Sequence, residues 1–370
     1  MVGNIWRLGL ETADLHTHCR RVFSLPKIDV AFVTNMRDET DRKRYIGNTL
    51  PGEGHFNGPR LLINGCIGQT RSICCITNEL LTSSGRRKAK EQFISATRWA
   101  ERQGARVVLL AASTKRLFGH DGDKLKKMFP NILFTIGDNG TAFMLCSETK
   151  RALNSAGLYP GQSRVAILGP YGILGEMVTC ELIKNGYEVV GAGPNTAGLE
   201  KIKNKFSIET VQNFDAIGKV DAVISCTHSK KICLTKEAIE HIRKKNKKML
   251  VVDVSEPSNL TAEEYKRCNG YVVRQDAGNA YSKNLKYVLG PISYKMFRLS
   301  SGVTFGCFAE ALSLFSALKR GNESVKSYNW FSVCEENIGV VEELFKFDGF
   351  EMPSPRCFSK PVDSFSLFVN

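Results

Sequence analysis

The stretch Val165–Gly191, VAILGPYGILGEMVTCELIKNGYEVVG, decides how the chain folds. An apolar run enters Gly169, and Gly172 and Gly175 follow with G-x-x-G-x-x-G spacing. A helix-like segment then closes at Asn185-Gly186, and a second apolar run begins. Each glycine has its own reason to be there. The first allows a tight turn, the middle one lets backbone approach a pyrophosphate, and the last permits close packing of helix on strand. The helix that follows offers free N–H groups and the positive end of its dipole to phosphate. Gly169, Tyr171, Gly172, Ile173 and Gly175 are therefore expected to cradle a dinucleotide. Pro170 and Tyr171 are unusual in such a loop, because proline has no N–H and tyrosine is bulky where small residues are common. A domain of this kind without a ligand is the competing reading.

Outward from this loop the pattern is regular. Apolar runs at 165–169, 188–193, 221–226, 249–254 and 271–276 alternate with helix-like segments. Parallel strands need crossover helices, so the stretch reads as an α/β, doubly wound parallel sheet of Rossmann type. Cofactor choice is read after the second run. An NAD site places Asp or Glu there for the ribose 2′-hydroxyl, whereas GAGPNTAGLEKIK (191–203) offers neither until Glu200, well inside the next helix. Asn195, Thr196 and Lys201 suit a 2′-phosphate instead, which favours NADPH. Thr227, in the loop SCTHS (225–229), is expected to border the nucleotide, and His228 beside it is an acid–base candidate or a plain solvent-facing residue.

The region before the loop is less regular. Candidate strands are IDVAFV (28–33), RLLIN (60–64), ARVVLLAA (105–112) and NILFTIG (131–137), with an amphipathic helix at 86–103. GDNGTAFMLCSETKRALNSAG (137–157) reads as a turn at Asp138 and Asn139 leading into a long helix. After about residue 295 only helices are expected. The boundaries read from the sequence are 1–154 for an α/β substrate domain, 155–295 for the inserted or following dinucleotide domain, and 296–370 for C-terminal helices that return to the substrate domain, leaving a cleft between the two halves.

Composition bounds the function. With 370 residues, 42% apolar and 24% charged, the chain is ordinary globular material. No apolar run is long enough to span a bilayer and no secretory signal opens the sequence, so a cytoplasmic protein is expected. Twelve scattered cysteines without a CxxC pair read as reduced thiols, and six histidines, with His16-x-His18 the only tight pair, give no metal site. The net charge of +14 is concentrated in GRRKAK (85–90) and IRKKNKKM (242–249). No aromatic residues interleave with these runs and no recognition motif accompanies them, so nucleic acid is not expected. An acidic protein, a phosphorylated cofactor or plain solvent can each face them.

The remaining candidate is Cys307 in TFGCFAEALSLFSALKRG (304–321), where Phe305, Phe308, Leu312 and Phe315 form one helical line and Cys307, Ala311, Leu314 and Leu318 another. Such a helix is apolar around most of its circumference, and a thiol inside it is first of all a small hydrophobe. Its place near the helix start also favours a thiolate.

From about residue 70 to about 350 the sequence resembles the aldehyde-forming long-chain acyl-ACP reductases of the cyanobacterial alkane pathway. The resemblance runs through TAFMLCSETKRALNSAG (141–157), GPYGILG (169–175) and VVDVSEPSN (251–259), and is closest in FGCFAEALSLF (305–315). It implies a substrate domain interrupted by an NADPH domain, acyl-ACP or acyl-CoA as thioester donor, and Cys307 as the residue that takes the acyl group. Glu310 is expected to orient rather than to act as base, and the apolar helix to line a path for a fatty chain. Two other readings stay open: an NAD(P)-dependent dehydrogenase or imine reductase on a small polar substrate, with Cys307 merely packed, and a non-catalytic nucleotide-binding protein.

Overall fold

The computed structural model describes residues 9–10, 12–46, 51–119, 122–227, 229–268 and 270–368. Two compact units divide the chain: one runs up to Gly140 and resumes at Ala280–Glu351, the other comprises Thr141–Asn279 and the segment from Met352. These junctions lie earlier than the 155 and 295 read from the sequence. The reason is that Leu145, Ala152 and Leu153, on the helix Asp138–Ser155, already belong to the core of the second unit. The C-terminal tail also departs from expectation. Leu367 is buried in that same core, and the Ser359 N–H donates to Asp276 at 3.0 Å, so residues from Met352 onward join the second unit rather than the helices before them.

The first unit is built on a six-stranded sheet. Its strands are β1 (Val30–Met36), β2 (His55–Ile63), β3 (Cys66–Ile76), β4 (Val107–Leu110) and β5 (Leu133–Thr135), with Lys286–Tyr287 at the edge beside β2, in the order edge-β2-β3-β1-β4-β5. β3, β1, β4 and β5 are parallel, while β2 and the edge strand alternate in direction. β3 is absent from the sequence reading because Gln69, Thr70 and Arg71 interrupt its apolar run. In the fold Gln69 donates to Gly58 O at 2.6 Å, and Arg71 donates to His55 Nδ1 at 2.8 Å while lying over Trp99, so polar residues are tolerated in a buried strand.

Successive side chains of a strand point to opposite faces. Ala31 and Val33 of β1 meet Ala89, Phe93, Ala96 and Ala100 of the helix Ser83–Arg102, whose N-terminus is capped by Thr82 accepting from Gly85 N at 3.1 Å. Phe32, between them in sequence, faces the other way and stacks on Phe308 at 4.1 Å between ring centroids. That contact seats the helix Gly306–Lys319 on the second face of the sheet, where it is buried along almost its whole length.

The second unit carries six parallel strands: β6 (Arg164–Leu168), β7 (Glu188–Ala192), β8 (Glu209–Val211), β9 (Ala222–Ser225), β10 (Met249–Asp253) and β11 (Val272–Asp276). Their order is β11-β10-β9-β6-β7-β8, which reverses at β6 as in a doubly wound nucleotide-binding sheet. Val165, Ile167, Ile224 and Leu250 line one face of the sheet. Ala166, Leu168, Val223 and Val251 line the other, so both faces are covered, as parallel sheets require.

Candidate active site

The glycine loop leaves β6 at Gly169 and enters the helix Ile173–Lys184. A Cβ on Gly175 would stand 2.1 Å from Gly169 O, so only glycine lets this helix approach its strand. The helix is N-capped by Gly172 with no side chain bonded to its first N–H groups, and a Cβ at Gly172 would have nothing nearer than 3.4 Å. Free N–H donors beside open space suit a pyrophosphate. Thr227, after β9, lies against Gly169, where a Cβ would come within 2.8 Å of it. Its carbonyl accepts from Asn259 Nδ2 at 3.1 Å, and Asn259 N donates to Asp253 Oδ2 at 3.1 Å. Asn259 and Asp253, which the sequence pattern does not single out, thus fasten the loops after β9 and β10. Both lie in the VVDVSEPSN run, the one signal that could have pointed to them.

Tyr171 turns away from the phosphate position and lies over the turn after β7, within 2.7 Å of where a Gly193 Cβ would be and 2.8 Å for Gly198. Its hydroxyl bonds the Asn195 backbone. Asn195 caps the helix Thr196–Phe206 by accepting from Gly198 N at 3.1 Å, and Thr196 Oγ1 accepts from Gln212 at 3.1 Å. These residues therefore share one edge of the nucleotide loop, with Asn195 and Thr196 partly engaged in local capping. Lys201 is exposed on the same helix, and Ile173 is exposed at the start of its own. His228 lies outside the described residues.

Cys307 sits in the first unit, on the first turn of the helix Gly306–Lys319. Gly137 and the first turn of the helix Asp138–Ser155 press against it, the helix beginning at Asp138 where the sequence suggests a turn. A Cβ on Gly137, whose φ is +72°, would stand 2.3 Å from Cys307 Cβ, and one on Gly140 would stand 2.5 Å from Gly306 O. Glu310, fully buried one turn on, holds that turn by accepting from the Thr135 hydroxyl and from Gly140 N at 2.6 Å. Burial pushes the Glu310 carboxyl up to about 7, against these hydrogen bonds. Lys115 donates to both oxygens of Asp138, at 2.8 and 2.9 Å, next to Gly137.

Burial also pushes the Cys307 thiol up to about 12; Asp138 adds to this and Lys115 opposes it. The resting thiol is therefore protonated, and the helix dipole does not overcome desolvation here. The Lys115–Asp138 pair escaped the sequence reading because Lys115 follows β4 and Asp138 follows β5, and only the parallel pairing of those strands joins them. Phe308 and Leu312 pack on Phe32 and Gly68, so the expected path for a fatty chain is here filled with core. Leu312 and Ser316 border a cavity of about 20 Å³, room for one water.

Residues 154–276 match the family model for shikimate / quinate 5-dehydrogenase. The second unit is an NAD(P)-binding domain of the Rossmann type, as found in oxidoreductases. No curated protein has a sequence that matches this chain. Among solved structures, a dipicolinate synthase chain from Bacillus halodurans is similar at 13% identity and TM-score 0.31, over 46% of this chain and 58% of that one. CAD from Helicobacter pylori complexed with NADP(H) is similar at 14% identity and TM-score 0.29, over 37% and 38%. L-tryptophan dehydrogenase from Nostoc punctiforme is similar at 12% identity and TM-score 0.37, over 85% and 90%. The chain thus spans little more than half of the first of these and under half of the second.

The basic runs differ in what they present. Lys244 pairs with Asp221 at 2.7 Å and Arg243 lies over Tyr271, so part of the second run is engaged within its own unit. Arg87 and Lys88 are exposed near the start of the helix Ser83–Arg102. His16 and His18 are exposed, and among the described residues no group of three or more His, Cys, Asp or Glu side chains is placed to hold a metal.

Proposed function

We propose that this protein is an NADPH-dependent reductase that converts an acyl thioester, carried by acyl carrier protein or coenzyme A, into an aldehyde through an acyl-enzyme on Cys307. What carries this reading is a thiol on the first turn of a buried helix, held by a glycine turn and flanked by a Lys–Asp pair, in a chain that also has an NAD(P)-binding domain. Sγ attacks the thioester carbon, and its proton is handed to the leaving sulfur, so that the carrier departs as a thiol. The chemistry that a bound NADPH supplies is hydride transfer to the carbon of the Cys307-linked acyl group. Lys115 stabilises the oxyanion of the tetrahedral adduct. Its collapse breaks the C–S bond, releases the aldehyde and leaves a thiolate that takes up the one proton consumed in the net reaction. The net reaction takes thioester, NADPH and one proton to aldehyde, free carrier thiol and NADP.

Cys307 is partly exposed at the start of a helix that is otherwise buried, and its apolar neighbours limit the water around an acyl-enzyme, which favours reduction over hydrolysis. Asn195, Thr196 and Lys201, with no carboxylate at the end of β7, support NADPH over NADH. The exposed Arg87 and Lys88 support an acidic or phosphorylated carrier.

The test is intact-mass spectrometry after exposure to acyl-ACP and acyl-CoA of graded chain length without NADPH. One acyl group that hydroxylamine removes is expected, and Cys307→Ser should form no such adduct and lose aldehyde production. Full aldehyde yield from Cys307→Ser would overturn the reading. The Lys115–Asp138 pair favours one alternative, acid–base help to a dehydrogenase acting on a small polar substrate. Under it Cys307→Ala keeps turnover while Lys115→Met loses it.

A further inference from the structure

The segment Asp14–Lys27 is amphipathic in the reverse sense. On the eight-residue helix Leu15–Val22 the inward line is polar. Asp14 caps the helix, accepting from Thr17 N at 3.1 Å and Thr17 Oγ1 at 2.7 Å, and it pairs with the Arg60 guanidinium of β2. Arg20, farther along the helix, donates to Asp29 at 2.8 Å and to Gly65 O at 2.7 Å. The outward line is apolar: Leu15 is 72% exposed, Val22 79%, Phe23 73% and Leu25 54%. Cys19 is exposed between them, and no residue of the helix is buried. A helix that serves only its own fold turns its apolar side inward, so this one spends its polar side on anchoring and leaves its apolar side for something else.

Charge says what that is. No acidic residue lies between Asp14 and Asp29, whereas Arg20, Arg21 and Lys27 do, in a chain of net charge +14. The apolar residues sit on a convex helix and its exit turn, flanked by exposed Arg21 and half-buried Lys27. Cationic side chains around a protruding apolar edge fit the interface of an anionic bilayer. Among the described residues no helix is long and apolar enough to cross a membrane, so the contact is with one surface.

We propose that Leu15–Lys27 docks the protein on an anionic lipid surface, with Leu15, Val22, Phe23 and Leu25 entering the headgroup boundary and Arg21 and Lys27 meeting phosphates. The surface is independent of the chemistry assigned to Cys307. The test is cosedimentation of the full chain with vesicles of phosphatidylcholine alone and of phosphatidylcholine mixed with phosphatidylglycerol. Binding to the mixed vesicles that falls with salt is expected, with a loss of about tenfold in the double variant Val22→Ser, Phe23→Ser and in Arg21→Glu. These side chains are exposed, so an unchanged circular dichroism spectrum and melting curve separates lost docking from lost folding. Equal binding by the double variant, or none by the native chain, overturns the proposal. So does a vesicle-free dimer that the double variant dissolves, because a second copy would then cover the face.

Discussion

At the scale of single residues, Glu310 and Cys307 show how burial sets the chemistry. Glu310 is fully buried and accepts from Thr135 and Gly140, and burial raises its carboxyl from the usual 4.5 to about 7. Unfolded, it ionises above 4.5; folded, it keeps its proton until about 7. Its contribution is therefore fully present below 4.5 and is lost as pH rises through 7. In Glu310→Gln an amide can face Thr135 while its oxygen still accepts from Gly140, so that loss should vanish from the pH profile of urea stability at a cost within about 1 kcal/mol. Glu310→Ala leaves a buried N–H unpaired beside a cavity and should cost about 3 kcal/mol. If Ala and Gln behave alike in urea, the carboxyl does not hold the turn. Residue types alone show Glu310 as an unexpected charge in an apolar helix; which partners receive it depends on Thr135 and Gly140, distant in sequence and adjacent only once β5 lies beside the helix.

At the scale of elements, the glycine turn and the cysteine helix are one device. Gly137 lies at φ +72° with its missing Cβ directed at Cys307. Gly137→Ala should cost about 1 kcal/mol for the left-handed backbone and about 2 kcal/mol more for displacing the helix start. Gly137 and the glycine loop belong to different units, so on the proposed thioester-reductase reading the variant should lose acyl transfer to Cys307, read by adduct formation, while NADPH affinity in fluorescence titration stays put. A parallel fall in both would tie the turn to global folding instead. Elements with strong periodicity were legible in the sequence: β6, β7, β9, β10 and β11 are apolar runs between helices, and the glycine loop marks its own place. β3 was hidden by Gln69, Thr70 and Arg71, whose partners are supplied by tertiary structure. β8, three residues containing Glu209 and Thr210, has too little apolar pattern to be seen at all.

At the scale of the whole molecule, the chain enters the second unit at Thr141, leaves it at Asn279, and returns to it from Met352. The interruption of one α/β unit by another was readable from where the strand pattern starts and stops. The return was not, because MPSPRCFSKPVDSFSLFVN (352–370) has three prolines and no period, and its few apolar residues matter only for where they land. Leu367 enters the core beneath β10, and its carbonyl accepts from Lys248 N at 2.7 Å. Phe358 lies 4.0 Å over the guanidinium of Arg274, itself held between Asp253 and Asp276. Since Asp253 also anchors Asn259, and Asn259 holds the Thr227 loop, the tail braces the network that shapes the nucleotide loop from behind. Ending the chain at Glu351 should therefore lower the stability of the second unit and weaken NADPH binding together, whereas Leu367→Ala, which spares Phe358, should cost about 2 kcal/mol with a smaller effect on the cofactor. Denaturation midpoints and NADPH titrations of both variants decide between them. A truncated protein that melts as before and binds NADPH unchanged would show the tail to be dispensable to that network.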